Sequence, residues 1–122
     1  MEIDGKFYVY LLLAVAETFV LLWFSFLPSV DFVRTGFTRL GDLEHLMAYT
    51  VFGFLLHRVF RYFFSRKESV IFSVVVGSLV GGICEISQHL LPYRVGDAAD
   101  WGIDTLGSFL GGLVSSKFKP SS

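Results

Sequence analysis

Charged side chains are scarce in this chain of 122 residues: Asp, Glu, Lys and Arg make up 17%, against roughly 25% in an ordinary soluble domain. Ten basic residues nearly balance eleven acidic ones for a net charge of -1, so no overall field draws in nucleic acid, and no nucleic-acid partner is expected. Cysteine is nearly absent. Cys84 stands alone inside an apolar run, which excludes an intrachain disulfide and a cysteine metal cluster. No nucleotide loop, catalytic triad or cysteine chemistry is legible, so no cofactor can be assigned. What abounds is apolar: 53% of residues are hydrophobic and 17% aromatic, with 14 Phe and a mean hydropathy of +0.62. A small soluble domain leaves too much surface in water to hide that many large apolar side chains. A soluble enzyme and a disordered tail are thereby excluded. The expectation is an all-α integral membrane protein built as one domain.

A membrane-crossing helix needs about 20 mostly apolar residues. Four segments approach that length: 7–27, broken only by Glu17 and stopped by Pro28; 43–63, with Asp42 as its expected N-cap; 70–91, ending at Pro92; and 97–116. The first is too long and too aromatic for a signal peptide, and no small-residue cleavage site follows it. The fourth is the shortest and carries Asp100 and Asp104; its alternative is a re-entrant or interfacial helix. Basic residues set orientation. With four spans, Lys6, Arg58, Arg61, Arg66, Lys67, Lys117 and Lys119 share one side, while Arg34, Arg39 and Arg94 take the other. Both termini are therefore expected in the cytoplasm. A three-span arrangement would erase the bias. The His57, Arg58 and Arg61 group reads as the cytoplasmic anchor of the second span.

Ionisable residues inside a span are costly, around 2.5–3.5 kcal/mol each at its centre, and need a partner, a proton or a wet cavity. Residues three and four apart share a helix face. In the third span Gly77, Gly81 and Glu85 follow at steps of four, with Gln88 and His89 next. Glycines at that spacing admit a neighbouring helix closely. In the fourth, Asp97, Asp100, Asp104, Gly107 and Gly111 form one stripe; in the second, Asp42, His45 and Tyr49 share a face above Phe52 and Gly53. All three sets fall toward the non-cytoplasmic side, with Arg94 as the nearest cation in sequence. Each residue has a plainer role open to it: Glu17 as a protonated carboxyl bonded to another helix, His45 on a loop carbonyl, Asp100 as a helix cap, Arg94 with Asp97 as a rim pair.

The run Glu85-Ile-Ser-Gln88, Pro92, Arg94, Asp97, Asp100, Gly107 and Gly111 resembles the VanZ-like membrane proteins, whose pattern is E-x-x-Q, P-x-R, D-x-x-D and N-x-x-G-x-x-x-G. His45-x-x-x-Tyr49 followed by Gly53 is similar to that family's second-span motif, and Phe24-Ser25-Phe26-Leu27-Pro28 to the end of its first span. The likeness covers about residues 24 to 112. Two departures stand out. The lysine the family commonly carries ahead of the histidine is missing from Gly41-Asp42-Leu43-Glu44-His45, and the family's asparagine is replaced by Asp104. The resemblance implies a compact four-helix membrane domain. It also implies a link to low-level resistance to the glycopeptide teicoplanin, with which the family's namesake is associated.

The leading expectation is an outward-facing polar site for an amphipathic envelope molecule: a lipid head group, a lipid-linked precursor or a lipoglycopeptide. Glu85 and His45 are the expected acid/base groups, Arg94 the clamp for a phosphate or carboxylate, and Asp100 its orienting partner. Gln88, Asp97, Asp104 and Tyr49 are the expected binding residues. The alternatives are a structural protein whose polar residues lock the helices for a partner, and a proton or divalent-cation site. For a cation, Glu85, His45, His89, Asp97, Asp100 and Asp104 supply ligands in no defined metal spacing.

Overall fold

The computed structural model describes residues 3–26, 34–35, 38–90 and 98–118. These form four helices: α1 (Gly5–Phe26), α2 (Leu40–Phe60), α3 (Arg66–Leu90) and α4 (Ala98–Ser116). A two-residue antiparallel ladder, β1 (Arg34–Thr35) with β2 (Thr38–Arg39), precedes α2, with Arg34 opposite Arg39. The helices fall on the four apolar segments. α2 begins ahead of Asp42, which therefore lies within its first turn, where the helix dipole also favours an acid. Two helices, over Gly5–Trp23 of α1 and Arg66–Ser87 of α3, are long and apolar enough to cross a membrane; α2 and α4 do not meet that test.

Local chemistry fixes the ends. Asp4 accepts the Phe7 amide at 3.1 Å and so caps α1. Ser65 and Glu68 make a reciprocal capping box at the start of α3, the Glu68 amide donating to Ser65 Oγ and the Ser65 amide to Glu68 Oε1, both at 3.2 Å. That S-x-x-E signal reads in the sequence only as a polar turn between two apolar runs.

The tightest contact joins α2 to α4, with α3 close behind and α1 most loosely attached. Missing side chains explain it. A Cβ at Gly111 would collide with the Thr50 carbonyl and the Phe54 amide, and one at Gly107 would sit 2.9 Å from the Leu46 carbonyl. From the other side, a Cβ on Gly53 would strike the Ser108 backbone. On α3, Gly77 and Gly81 are notches for the Ser108 and Asp104 side chains. The glycine stripes are thus helix–helix seams, as close packing of membrane helices requires. α1 covers the α2–α3 face through Phe7 and Ala14, against Tyr49, Phe52, Leu55 and Leu56 at one level and Val59 and Tyr62 at the other. Its outer face leaves Leu12, Phe19 and Trp23 exposed. The interior mixes this apolar core with buried Ser, His, Arg and Asp side chains, while many large apolar side chains face outward.

Candidate functional site

The end of the bundle opposite the chain termini collects the polar stripes, because α1 and α3 finish where α2 and α4 begin. His45 in the first half of α2 meets Asp104 of α4: the ring Nδ1–H donates to the Asp104 carboxylate at 2.8 Å. The Asp104 side chain is 3% exposed and that of His45 32%, so the carboxylate is walled in while the ring reaches outward. Gly81 makes room for it, since a Cβ there would lie 2.9 Å from Asp104 Oδ2.

One turn below His45, Tyr49 is 2% exposed and its ring lies nearly parallel to that of His45, centroids 6.4 Å apart. Its hydroxyl donates to Cys84 Sγ at 3.8 Å, and the Cys84 thiol donates to the Leu21 carbonyl of α1 at 3.8 Å. Tyr49 also interacts with the Asp104 carboxyl and lies within electrostatic reach of Glu17. Glu85, next to Cys84 on α3, is half-buried. Every helix therefore contributes to one polar layer: Glu17 and Leu21, His45 and Tyr49, Cys84 and Glu85, Asp104.

Of the expected site residues, the structure joins His45, Tyr49 and Asp104 directly and sets Glu85 on the adjoining helix. Arg94 and Asp97 lie outside the described residues, as do the side chains of Gln88 and Asp100. Among the described residues no group of three or more His, Cys, Asp or Glu is placed to hold a metal ion. Asp104 is the member whose weight rises most, from one binding residue among several to the acceptor that fixes the His45 ring. The sequence shows the stripe it belongs to, but not that α4 presents it to α2. Cys84 carries no sequence signal of a polar role and reads there as an apolar filler.

At the opposite end, His57 lies in the last turn of α2, covered by neighbouring helices. It is 1% exposed, with Nε2–H donating to the Arg66 carbonyl at 3.3 Å and Nδ1 paired with the Ser115 hydroxyl at 2.7 Å. A carbonyl can only accept, so Nε2 carries a proton, while the Ser115 hydroxyl can pair with Nδ1 in either direction. Its neighbour Arg58 is also buried, its guanidinium 5.5 Å and 5.6 Å from the ring centres of Phe54 and Phe118, a cation–π clamp that ties the residues after α4 to α2.

The VanZ/LLP1 family profile matches residues 7–119. The chain belongs to the VanZ/LLP1 family. No curated protein and no solved structure matches it. The matched span runs from the first turn of α1 past the end of α4; Asp104, which the sequence resemblance sets where VanZ-like proteins carry asparagine, is the residue that holds His45.

Proposed function

We propose that this is a multi-pass cell-membrane protein with four spans and cytoplasmic termini, whose polar layer faces the outer side and binds the polar head of an amphipathic envelope molecule. Lys6, Arg58, Arg61, Arg66, Lys67 and Lys117 lie at the terminal end of the bundle, as the positive-inside rule asks of a cytoplasmic face. The single observation that carries the site is the His45–Asp104 pair. A walled-in carboxylate one hydrogen bond behind a ring that reaches the outside is a built polar contact, not a solvated surface charge. Family membership supports the kind of molecule: a lipoglycopeptide or a lipid-linked precursor joins a polar head to an apolar tail, and a polar layer in an apolar bundle matches both halves.

The test is tolerance to teicoplanin in cells producing the protein, with membrane abundance measured in parallel. The parent is expected to raise tolerance, and His45→Ala and Glu85→Gln to abolish the gain at unchanged abundance. A gain that survives both substitutions sinks the site and leaves the second reading, helix glue with activity in a partner. That reading is favoured by how closely Gly53, Gly107 and Gly111 draw α2 and α4 together.

A further inference from the structure

A second feature runs the length of the bundle. α3 and α4 pass each other antiparallel with Asp104 against Gly81, Ser108 against Gly77, and Gly112 against Ser73 and Val70. One turn further the same register brings Ser115 to the level of Ser69. Ser69, Ser73, Ser108 and Ser115 are completely buried, although each carries a hydroxyl. Ser108 Oγ donates to the Asp104 carbonyl at 3.0 Å and Ser73 Oγ to the Ser69 carbonyl at 2.7 Å. The Ser69 hydroxyl finds no hydrogen-bond partner among the described residues. Helix packing alone would be served as well by alanine at such positions, and a buried hydroxyl without a partner is costly.

Both ends of this row are closed by histidines of the same helix. His45 is held by Asp104, and His57, twelve residues on and roughly 18 Å along α2, is held by Ser115. We propose that the α2–α3–α4 seam is a proton path joining the His45–Asp104 pair at one face of the bundle to His57 at the other. Asp104 and Ser108 on α4, and Ser69 and Ser73 on α3, stand one helical turn, about 5.4 Å, apart along their helices, and the path requires a water to enter such a gap as a proton passes. Each step is a transfer between oxygens or ring nitrogens. A histidine takes a proton on one nitrogen and releases one from the other, hydroxyls and waters pass it on, and no net bond change remains.

The groups facing the two histidines suit entry and exit. Around His45 stand Asp104 from α4, Tyr49 from α2 and, through Tyr49, Glu17 from α1. Around His57 stand Ser115 from α4, Arg66 from α3, and Arg58 and Arg61 from its own helix. One end is acidic and the other basic, so the row is asymmetric.

The path rests on the four-span topology, which a reporter fused after Ser122 tests separately. The full chain is reconstituted into phosphatidylcholine–phosphatidylglycerol vesicles holding a pH-sensitive dye, and a potassium gradient with valinomycin drives protons inward. Acidification above the protein-free rate is expected for the parent. His57→Gln, whose amide can keep both hydrogen bonds but cannot carry a proton, and Ser108→Ala, which only removes an atom from a tight contact, are both expected to lose it. A parent flux equal to that of protein-free vesicles, or an undiminished flux in folded His57→Gln, overturns the path. If the reporter is cytoplasmic and flux is absent, the path fails while the topology and the outer site stand.

Discussion

The weight of a single residue here depends on what stands in its wall. Asp104 occupies a position where the family pattern reads asparagine, and an asparagine side-chain carbonyl can still accept from His45 Nδ1. Asp104→Asn is therefore expected to leave thermal stability in detergent within about 1 kcal/mol of the parent, whereas Asp104→Leu, which abandons the ring, costs clearly more. Unfolding followed by circular dichroism separates the two. Gly81→Ala tests the same wall from α3, since its new methyl would press on the carboxylate; it should lower stability and weaken teicoplanin tolerance together. At the other end, the Tyr62 hydroxyl donates to Asp4 at 2.9 Å, and this bond above all holds the Asp4 carboxyl below its ordinary range. A carboxyl lowered by folding stabilises the fold above its ordinary value, and the contribution fades as pH falls through the lowered one. Tyr62→Phe should therefore remove part of the stability seen at neutral pH while leaving strongly acidic stability nearly unchanged, read from melting temperatures across a pH series.

At the scale of the helix, the apolar runs and their proline stops were sufficient to place four elements, because length and hydropathy are properties of a segment by itself. The capping box at Ser65–Glu68 was legible too, but its short motif sits in a turn already accounted for. Partners were not legible. Periodicity puts His45 and Tyr49 on one face of α2 and Asp104 on one face of α4, yet a face does not name the helix it meets, and the Tyr49–Cys84–Leu21 chain joins three elements with no common motif. His57 keeps its place in the last turn of α2 beside Arg58 and Arg61, but the Ser115 that covers it lies 58 positions away and was not legible. The glycines divide cleanly on the same principle. Gly111→Ala must push α4 off the Thr50 carbonyl and should cost about 1–3 kcal/mol as an overpacked contact. Gly102→Ala, with nothing near its would-be Cβ, should stabilise α4 by up to about 1 kcal/mol. Paired denaturation of the two variants checks the contrast.

For the whole molecule, the decisive experiment is topological: the reporter after Ser122 is expected in the cytoplasm, and an outside location would overturn the arrangement of four spans with both termini inside. The division of labour among helices has a consequence for how such a chain enters a membrane. α1 and α3 are long and apolar enough to cross a membrane, a measure that α2 and α4 do not reach among the described residues. What makes the latter pair tolerable is mutual concealment: Asp104 behind His45, His57 behind Ser115, backbone against backbone at Gly53 and Gly111. Since α4 follows α2 and α3 in the chain, α2 has no permanent shelter until α4 has been synthesised. Biogenesis should therefore include an interval in which α2 leans on the insertion machinery, and chains cut short before α4 should be the ones that cellular quality control destroys.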